Sequence, residues 1–221
     1  GMNDHISAPL LWDDQRKYNR GKILSAEQLE AMSERYGRYL DREGDGIAYR
    51  TIPATHATKG AFVTRGSSRD EYAVYTEDNA TYKRNVDRLA RKFETASEMV
   101  PAPEFYQAEN ASNVGVLFFG TSTYAAAEAI ELLKAEGITL DAMRPKAFPF
   151  GRAFQDFVNS HEKVFVIEQN RDAQFKSLMM IELGTNPEKL VSILNYDGMP
   201  ITADFIFNRI KVEFVEFLAC R

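Results

Sequence analysis

Cysteine and histidine are scarce in this sequence of 221 residues. The single cysteine, Cys220, cannot form a disulfide within the chain, and one thiol cannot ligate an iron–sulfur cluster or a cysteine-type structural zinc ion. The histidines, His5, His56 and His161, lie far apart in the sequence, so a multi-histidine metal site or a histidine-based triad is poorly supplied. The sequence therefore argues against a disulfide framework, an iron–sulfur cluster, a cysteine-type zinc site and a multi-histidine site, while a single catalytic histidine stays open.

Long apolar runs and an excess of positive charge are also missing. No apolar run approaches the roughly 20 residues of a membrane-spanning helix. The net charge of −5 argues against a nucleic-acid binder held by phosphate contacts. The first residues show neither the basic nor the apolar segment of a signal peptide. We therefore expect a cytoplasmic protein that binds neither membrane nor nucleic acid.

The chain divides into two halves, which join near Pro101 and Pro103. Two prolines so close together disfavour a helix and indicate an extended linker. In the second half, residues 101–221, short apolar runs alternate with helical patterns, which predicts βαβ units. We predict a three-layer α/β/α domain with an open, mostly parallel sheet. The predicted strands are 113–119, 138–143, 163–168 and 189–194, and the predicted helices are 124–136, 152–160, 173–183 and one capped by Thr202.

The first half, residues 1–100, is less regular, and we predict a helical, irregular N-terminal arm. Residues 25–28 (SAEQ) match a capping box that opens a helix to about Tyr39. Asp78 is expected to cap a second helix that reaches about Met99. The second helix carries large apolar side chains at helical spacing, namely Tyr82, Val86, Leu89 and Phe93. Because this stripe must pack on something, we interpret the first half as an arm that wraps a neighbour.

Two polar segments follow predicted strands, and strand ends are where open parallel sheets bind ligands. Residues 120–123 offer hydroxyls and backbone N–H groups at a helix N-terminus, which is either an anion site or only a helix cap and tight turn. Residues 168–172 either contact a ligand or a subunit, or form a solvated turn. The candidates are Gly120, Thr121, Ser122 and Thr123 in the first segment, and Glu168, Gln169, Asn170, Arg171 and Asp172 in the second.

An acidic turn in the first half spaces three carboxylates at alternate positions, Asp41, Glu43 and Asp45. This spacing resembles the start of a calcium-binding loop, but Ile52 stands where an EF-hand has its bidentate glutamate. A partial cation site and a plain acidic turn are both left open. The Gly-Asp-Gly around Asp45 also opens the thiamine-diphosphate motif, but the first asparagine after it, Asn79, comes too late to complete that motif.

Arginines and carboxylates cluster at residues 65–72. The planar fork of arginine suits the recognition of carboxylates and phosphates. Arg65, Asp70 and Glu71 are therefore candidates for an interface or for the rim of an active site. The alternative is an ordinary ion-pair cluster within the chain or between subunits.

Many short blocks of this sequence follow one another in the order of a known family. They are residues 45–53 (DGIAYRTIP), 62–66 (FVTRG), 70–72 (DEY), 75–78 (YTED) and 85–96 (NVDRLARKFETA), then 147–150 (AFPF), 164–172 (VFVIEQNRD) with Gln174, and 195–202 (NYDGMPIT). Together these blocks resemble the alpha subunit of 2-oxoacid:ferredoxin oxidoreductases. The resemblance spans nearly the whole chain and implies the C-terminal part of that subunit, a domain similar to the C-terminal domain of transketolase with its preceding arm.

The resemblance implies a function for the parent complex rather than for this chain alone. The family decarboxylates a 2-oxoacid on thiamine diphosphate, passes electrons through iron–sulfur clusters to ferredoxin, and releases acyl-CoA. Thiamine diphosphate, magnesium, the clusters and CoA are then expected in the complex, and none is expected to bind to this segment alone. The implied partners are the thiamine-binding beta subunit and the remaining alpha-subunit domain. We expect a segment for assembly and active-site access, inactive by itself.

Two other functions stay open on the residues alone. The first is a free-standing α/β module that binds an anion, such as a CoA phosphate, at residues 120–123. The second is a small α/β enzyme that uses Glu168 or Asp172 as an acid or base. The sequence places no partner group near either carboxylate.

Overall fold

The computed structural model describes residues 12–66, 68–106, 108 and 112–219. The described residues form two compact units, which divide between Met99 and Val100. We call them the arm unit (residues 12–99) and the sheet unit (residues 100–219). Cys220 and His5 lie outside the described residues.

The arm unit contains a short helix, α1 (Ala26–Ala31), and a long one, α2 (Asn79–Met99). Helix α1 begins with the predicted capping box between Ser25 and Gln28. The prediction that this helix continues to Tyr39 is wrong, because Met32 leaves the helical conformation (φ −68°, ψ 121°). Tyr36 is buried, and its hydroxyl donates to the Tyr49 carbonyl at 3.0 Å. This contact with a distant part of the chain replaces the last turns of the predicted helix.

Helix α2 is capped as the sequence predicts and packs through polar groups. The Asp78 carboxylate accepts from the Thr81 backbone N–H at 2.8 Å. Farther along the helix, Arg88 is buried and donates to the Gly46 carbonyl at 2.8 Å. The Thr95 hydroxyl donates to the Asp45 carbonyl at 2.7 Å. The side of α2 that faces its own unit is thus the polar side.

The sheet unit contains five strands and four α-helices within the described residues. Their bounds are β1 (Glu104–Tyr106), β2 (Val114–Leu117), α3 (Ser122–Ala135), β3 (Asp141–Arg144), α4 (Arg152–Ser160), β4 (Lys163–Glu168), α5 (Gln174–Leu183), β5 (Leu190–Leu194) and α6 (Ala203–Ala219). The strand order is β1-β3-β2-β4-β5, in which β1 is antiparallel and the other strands are parallel. The predicted open, mostly parallel sheet is confirmed. Strand β1 was not predicted, because three residues are too few to show a pattern.

Helices cover both faces of the sheet, which confirms the three-layer α/β/α prediction. Alternate residues of each strand point to opposite faces. On one face, Phe118 and Phe165 belong to a buried cluster that includes residues of α3 and α6. On the other face, Leu117 and Val166 belong to a second cluster with residues of α4 and α5.

The order in which strands are added to the sheet reverses at one place, between β2 and β4. From β2 the chain crosses through α3 to β3 on one side, and then through α4 to β4 on the other side of β2. The loops that leave β2 and β4 therefore diverge at the carboxyl ends of neighbouring strands. Open α/β sheets bind ligands in the crevice at such a switch point.

None of the helices in the described part of the chain combines the length and the apolar character that crossing a membrane requires.

Candidate functional site

A cavity of about 900 Å³ lies at the switch point of the sheet. We call it the switch-point cavity. Its walls include the whole predicted segment 120–123 and two residues of the predicted segment 168–172, namely Gln169 and Asn170. The remaining wall residues were not predicted; they are Tyr106, Phe119, Tyr124, Arg144 and Gln174.

A side-chain amide joins the two predicted segments. Nε2 of Gln169 donates to the hydroxyl of Thr121 at 2.8 Å and to that of Ser122 at 3.2 Å. Thr121 makes no side-chain capping hydrogen bond at the start of α3. Oε1 of Gln169 is buried and has no hydrogen-bond partner among the described residues. The Thr121 and Ser122 hydroxyls are therefore fixed by the loop after β4.

Glu168 has a structural role that the sequence did not indicate. Its side chain is fully buried. The carboxylate accepts from the backbone N–H groups of Phe175 at 2.7 Å and Lys176 at 3.1 Å, and from Nδ2 of Asn170 at 2.8 Å. These bonds satisfy the N-terminus of α5. Glu168 thus supports the loop from inside, and its predicted place at an interface or active-site rim stays a prediction.

The next two residues of the loop, Arg171 and Asp172, are exposed to solvent. Their side chains are 75% and 58% exposed, and Nε of Arg171 donates to Oδ1 of Asp172 at 2.8 Å. Neither residue lines the switch-point cavity. Both remain candidates for contact with another chain.

Arg144 brings positive charge to the wall of the cavity. Its Nη1 donates to Oε2 of Glu104 at 3.0 Å, and Nζ of Lys146 lies 2.7 Å from the other oxygen of the same carboxylate. The hydrogen bond from Lys146, followed by that from Arg144, lowers the pKa of Glu104 below its ordinary range. Two cations thus share one carboxylate. No sequence pattern indicated this group of side chains, because Glu104 lies on β1, the strand that was not predicted.

The three candidate residues between 65 and 72 have different contacts in the structure. Arg65 lines a different cavity of about 680 Å³ in the arm unit, with Tyr36 and Tyr72. Asp70 shapes its own turn, since its Oδ1 accepts from the N–H groups of Tyr72 at 2.9 Å and Val74 at 2.8 Å. Glu71 Oε1 accepts from Arg84 Nε of α2 at 2.9 Å. Asp70 and Glu71 therefore stabilise the arm unit itself.

The acidic turn holds a lysine. Nζ of Lys22 lies 2.7 Å from a Glu43 oxygen and 2.6 Å from an Asp45 oxygen. The Asp41 carboxylate accepts from the N–H groups of Gly44 and Gly46, each at 2.9 Å. The described residues contain no group of three His, Cys, Asp or Glu side chains arranged to hold a metal ion. The positive charge beside Glu43 and Asp45 is thus the ammonium group of Lys22.

The predicted apolar stripe of α2 is exposed. Tyr82 and Phe93 are each 57% exposed, Val86 is 45% exposed and Leu89 is 43% exposed. Thr81 and Arg88 on the same helix are buried. We call the four exposed side chains the apolar face of α2. A helix normally buries its apolar side, so this arrangement is the inverse of the usual one.

Comparison with known proteins finds relatives among the 2-oxoacid:ferredoxin oxidoreductases. No protein-family model matches the chain. The chain is 27% identical over 196 residues to 2-oxoacid:ferredoxin oxidoreductase 2, subunit alpha, of Aeropyrum pernix. The match covers 87% of this chain and 29% of that relative, so the chain spans less than a third of the curated relative it matches. The resemblance seen in the sequence is confirmed.

Among solved structures, an enzyme of the same name class has a similar fold. The 2-oxoglutarate:ferredoxin oxidoreductase of Magnetococcus marinus, solved with 2-oxoglutarate, coenzyme A and succinyl-CoA bound, matches 82% of this chain with a TM-score of 0.71 and 25% identity. The match covers 31% of that chain. The alpha chain of a probable 2-oxoacid ferredoxin oxidoreductase of Thermoplasma acidophilum is 26% identical over 49% of this chain and 93% of its own, but its TM-score of 0.34 is too low to compare the folds.

Proposed function

We propose that this chain is a structural segment of the alpha subunit of a thiamine-diphosphate- and CoA-dependent 2-oxoacid:ferredoxin oxidoreductase. In this proposal the segment serves assembly and shapes access to the active site, and it is inactive alone. Its relatives are alpha subunits of such enzymes, and the match covers only a part of them. The proposed setting is the cytoplasm, with ferredoxin reached only through the complex.

The observation that carries this proposal is the exposed apolar face of α2. Four large apolar side chains on one side of a helix form a patch that water solvates poorly, and such patches mark interaction sites. The opposite side of the helix is already satisfied by Gly46 and Asp45 of its own unit. The helix therefore keeps its apolar side for a partner. The expected partner is the remaining alpha-subunit domain or the thiamine-binding beta subunit.

The carboxylates of the chain support a non-catalytic role. Both oxygens of Glu168 accept backbone N–H groups of α5, so this fully buried carboxylate is engaged in capping that helix. Asp172 is exposed and paired with its neighbour Arg171. The two acids of the small-enzyme alternative are thus occupied in ways that do not form an acid–base pair.

The residues around Asp45 do not fit a magnesium site for thiamine diphosphate. The Asp45 carboxylate is bonded to Lys22 Nζ at 2.6 Å and to the Ile47 N–H at 2.9 Å. A Cβ on Gly46 would stand 2.3 Å from the Lys92 nitrogen, so the backbone of this turn is packed directly against α2. Thiamine diphosphate, magnesium and the iron–sulfur clusters are therefore expected in other parts of the complex.

The test is dye reduction by a complex of the full-length alpha subunit that contains this segment, coexpressed with its partner. Pyruvate, 2-oxoglutarate and branched 2-oxoacids are supplied in turn, each with and without CoA. We expect CoA-dependent reduction with one class of oxoacid, and no reduction by the isolated chain. Turnover by the isolated chain would contradict the non-catalytic role. No reduction by a complex shown to hold thiamine diphosphate and its clusters would contradict the enzyme assignment.

A further inference from the structure

The geometry points to a ligand site in the switch-point cavity, which we propose binds a small phosphorylated molecule with a flat ring, the chemistry of a nucleotide. The site lies wholly within the sheet unit. This site requires neither the apolar face of α2 nor a partner subunit. Ligand binding can therefore be tested separately from the role in assembly.

The anionic part of the ligand is indicated by the charge of the wall. Arg144 is the one charged residue among the described residues that line the cavity. Its partner Glu104 is shared with Lys146, so the three side chains carry a net positive charge. The N-terminus of α3, a helix of 14 residues, adds backbone N–H groups and the positive end of its dipole. Arginine and a helix N-terminus together suit a phosphate.

The hydroxyls and amides around Arg144 are held in place before any ligand arrives. Gln169 bonds to Thr121 and Ser122, and the Thr123 hydroxyl donates to the Gly120 carbonyl at 2.7 Å. Gln169 leaves one buried oxygen without a partner among the described residues. Unsatisfied buried polar groups are rare in folded proteins and call for an explanation, such as a bound water or ligand.

The flat part of the ligand is indicated by aromatic side chains on the same wall. Tyr106 and Tyr124 line the cavity, and they are 37% and 50% exposed. Phe119 also lines it and packs on Phe175 with ring centroids 4.8 Å apart. Exposed aromatic surface next to a phosphate site suits a stacked base. The volume of about 900 Å³ is adequate for a mononucleotide, since ligand pockets run to roughly 300–1,000 Å³.

Titration calorimetry of the full chain with ADP and with inorganic pyrophosphate tests this site. We expect ADP to bind with a dissociation constant in the millimolar range or below, and pyrophosphate to bind more weakly. Arg144→Met should weaken both ligands by about tenfold or more, because it removes a charge-assisted hydrogen-bond donor. Tyr124→Ala should weaken ADP several-fold and leave pyrophosphate unchanged. Arg209→Met, at a half-exposed arginine of α6 outside the cavity, should change neither.

The variants keep the test decisive even if one of them folds poorly. Circular dichroism and the melting temperature show whether Arg144→Met is folded, and Tyr124→Ala changes a half-exposed side chain. The absence of heat with ADP at millimolar concentration would overturn the proposal. Equal weakening by Arg144→Met and Arg209→Met would overturn it too. CoA, which carries an ADP moiety, is the third ligand: binding tighter than ADP would support a CoA site, and binding no tighter would support a free nucleotide.

Discussion

The two units of this chain are held together in different ways. Within the described residues of the sheet unit, buried apolar side chains form one cluster of 15 residues and another of 10. The corresponding cluster in the arm unit has three, Leu24, Leu29 and Tyr36. Side-chain hydrogen bonds to backbone carbonyls, such as those from Arg88 and Thr95, fix α2 in the arm unit instead.

The sheet unit is stabilised by burying apolar surface, whereas the arm unit leaves apolar surface exposed. The sheet unit resembles an ordinary three-layer domain, which can be stable alone. In the arm unit, the apolar face of α2 is exposed, and polar side chains of this helix are the buried ones. Changes that remove apolar volume should therefore damage the sheet unit, and changes that disturb close backbone contacts should damage the arm unit.

The largest effect is expected from Phe165→Ala in the sheet unit. Phe165 is 1% exposed and lies on β4, paired with Val116 of β2. Its truncation should lower the free energy of unfolding by about 3–5 kcal/mol, because it removes buried surface and leaves a cavity. Urea unfolding measures this value. Phe93→Ala on the exposed face of α2 is the matched control, expected to change stability by no more than about 0.5 kcal/mol. Equal losses in the two variants would contradict the comparison.

The next effect is expected from Gly46→Ala in the arm unit. Gly46 has a positive φ of 77°, and a Cβ there would stand 2.3 Å from the Lys92 nitrogen and 2.7 Å from the Arg88 oxygen. Backbone strain and overpacking should together cost about 2–4 kcal/mol. Gly44→Ala has almost the same φ, 78°, with no atom within 4 Å, so it should cost only the strain, about 1–2 kcal/mol. Thermal unfolding of both variants separates the two terms, and identical melting temperatures would refute the packing of this turn on α2.

A smaller loss is expected from Glu168→Gln at the switch-point loop. The amide retains one acceptor oxygen where the carboxylate offers two, so an N–H of α5 loses its partner. We expect a loss of about 1–3 kcal/mol in the free energy of unfolding. Asp172→Asn changes an exposed carboxylate in the same loop and should stay within about 0.5 kcal/mol. Equal stability of Glu168→Gln and the unmodified chain would show that Glu168 does not support the loop.

The smallest effect is expected from Lys22→Met, and it depends on pH. Burial pulls the pKa of Lys22 down, but hydrogen bonds to Asp45 and Glu43 more than offset it, so this pKa lies above its ordinary 10.5. The hydrogen bond from Lys22 is the main cause that lowers the pKa of Asp45 below 3.8 and that of Glu43 below 4.5.

The sign of the pH dependence follows from these directions. The carboxylates contribute stability above their ordinary pKa values and lose it as the pH falls through the lowered ones. Lys22 contributes below 10.5 and loses it as the pH rises through its raised pKa. Thermal melting should therefore show a small destabilisation by Lys22→Met near neutral pH that disappears at low and very high pH. A difference independent of pH would contradict the ion-pair assignment.

The sheet unit could be predicted from its sequence because its apolar runs alternate with helical patterns. Four strands, four helices and the three-layer arrangement follow from that alternation. The meeting of residues 120–123 with Gln169 and Asn170 depends on the strand order, which places β2 beside β4 and which the alternation does not determine. Tyr106 was missed because it lies on β1, a three-residue strand whose pairing with β3 is a long-range contact. Arg144 lies at the end of β3, and its pairing with Glu104 of β1 is a long-range contact of the same kind. The capping role of Glu168 was missed because a sequence does not show that a carboxylate at a strand end accepts from the N–H groups of the next helix.

The arm unit could be predicted only where local signals dominate. The capping box at Ser25 and the cap at Asp78 are local, and both are present. The end of α1 and the lysine in the acidic turn depend on contacts between distant residues, such as Tyr36 with Tyr49 and Lys22 with Asp45. Spacing along the chain carries no information about them.

The most direct test of the role in assembly is co-elution of the full-length alpha subunit with its partner after Leu89→Glu. Leu89 lies in the apolar face of α2, so a charge there should prevent the complex from forming and abolish dye reduction, while the isolated chain keeps its melting temperature. Ile181→Glu, at a 77% exposed side chain of α5, is the matched control and should leave the complex intact. A complex that forms and reduces dye normally with Leu89→Glu would contradict the proposal that the apolar face of α2 holds the enzyme together.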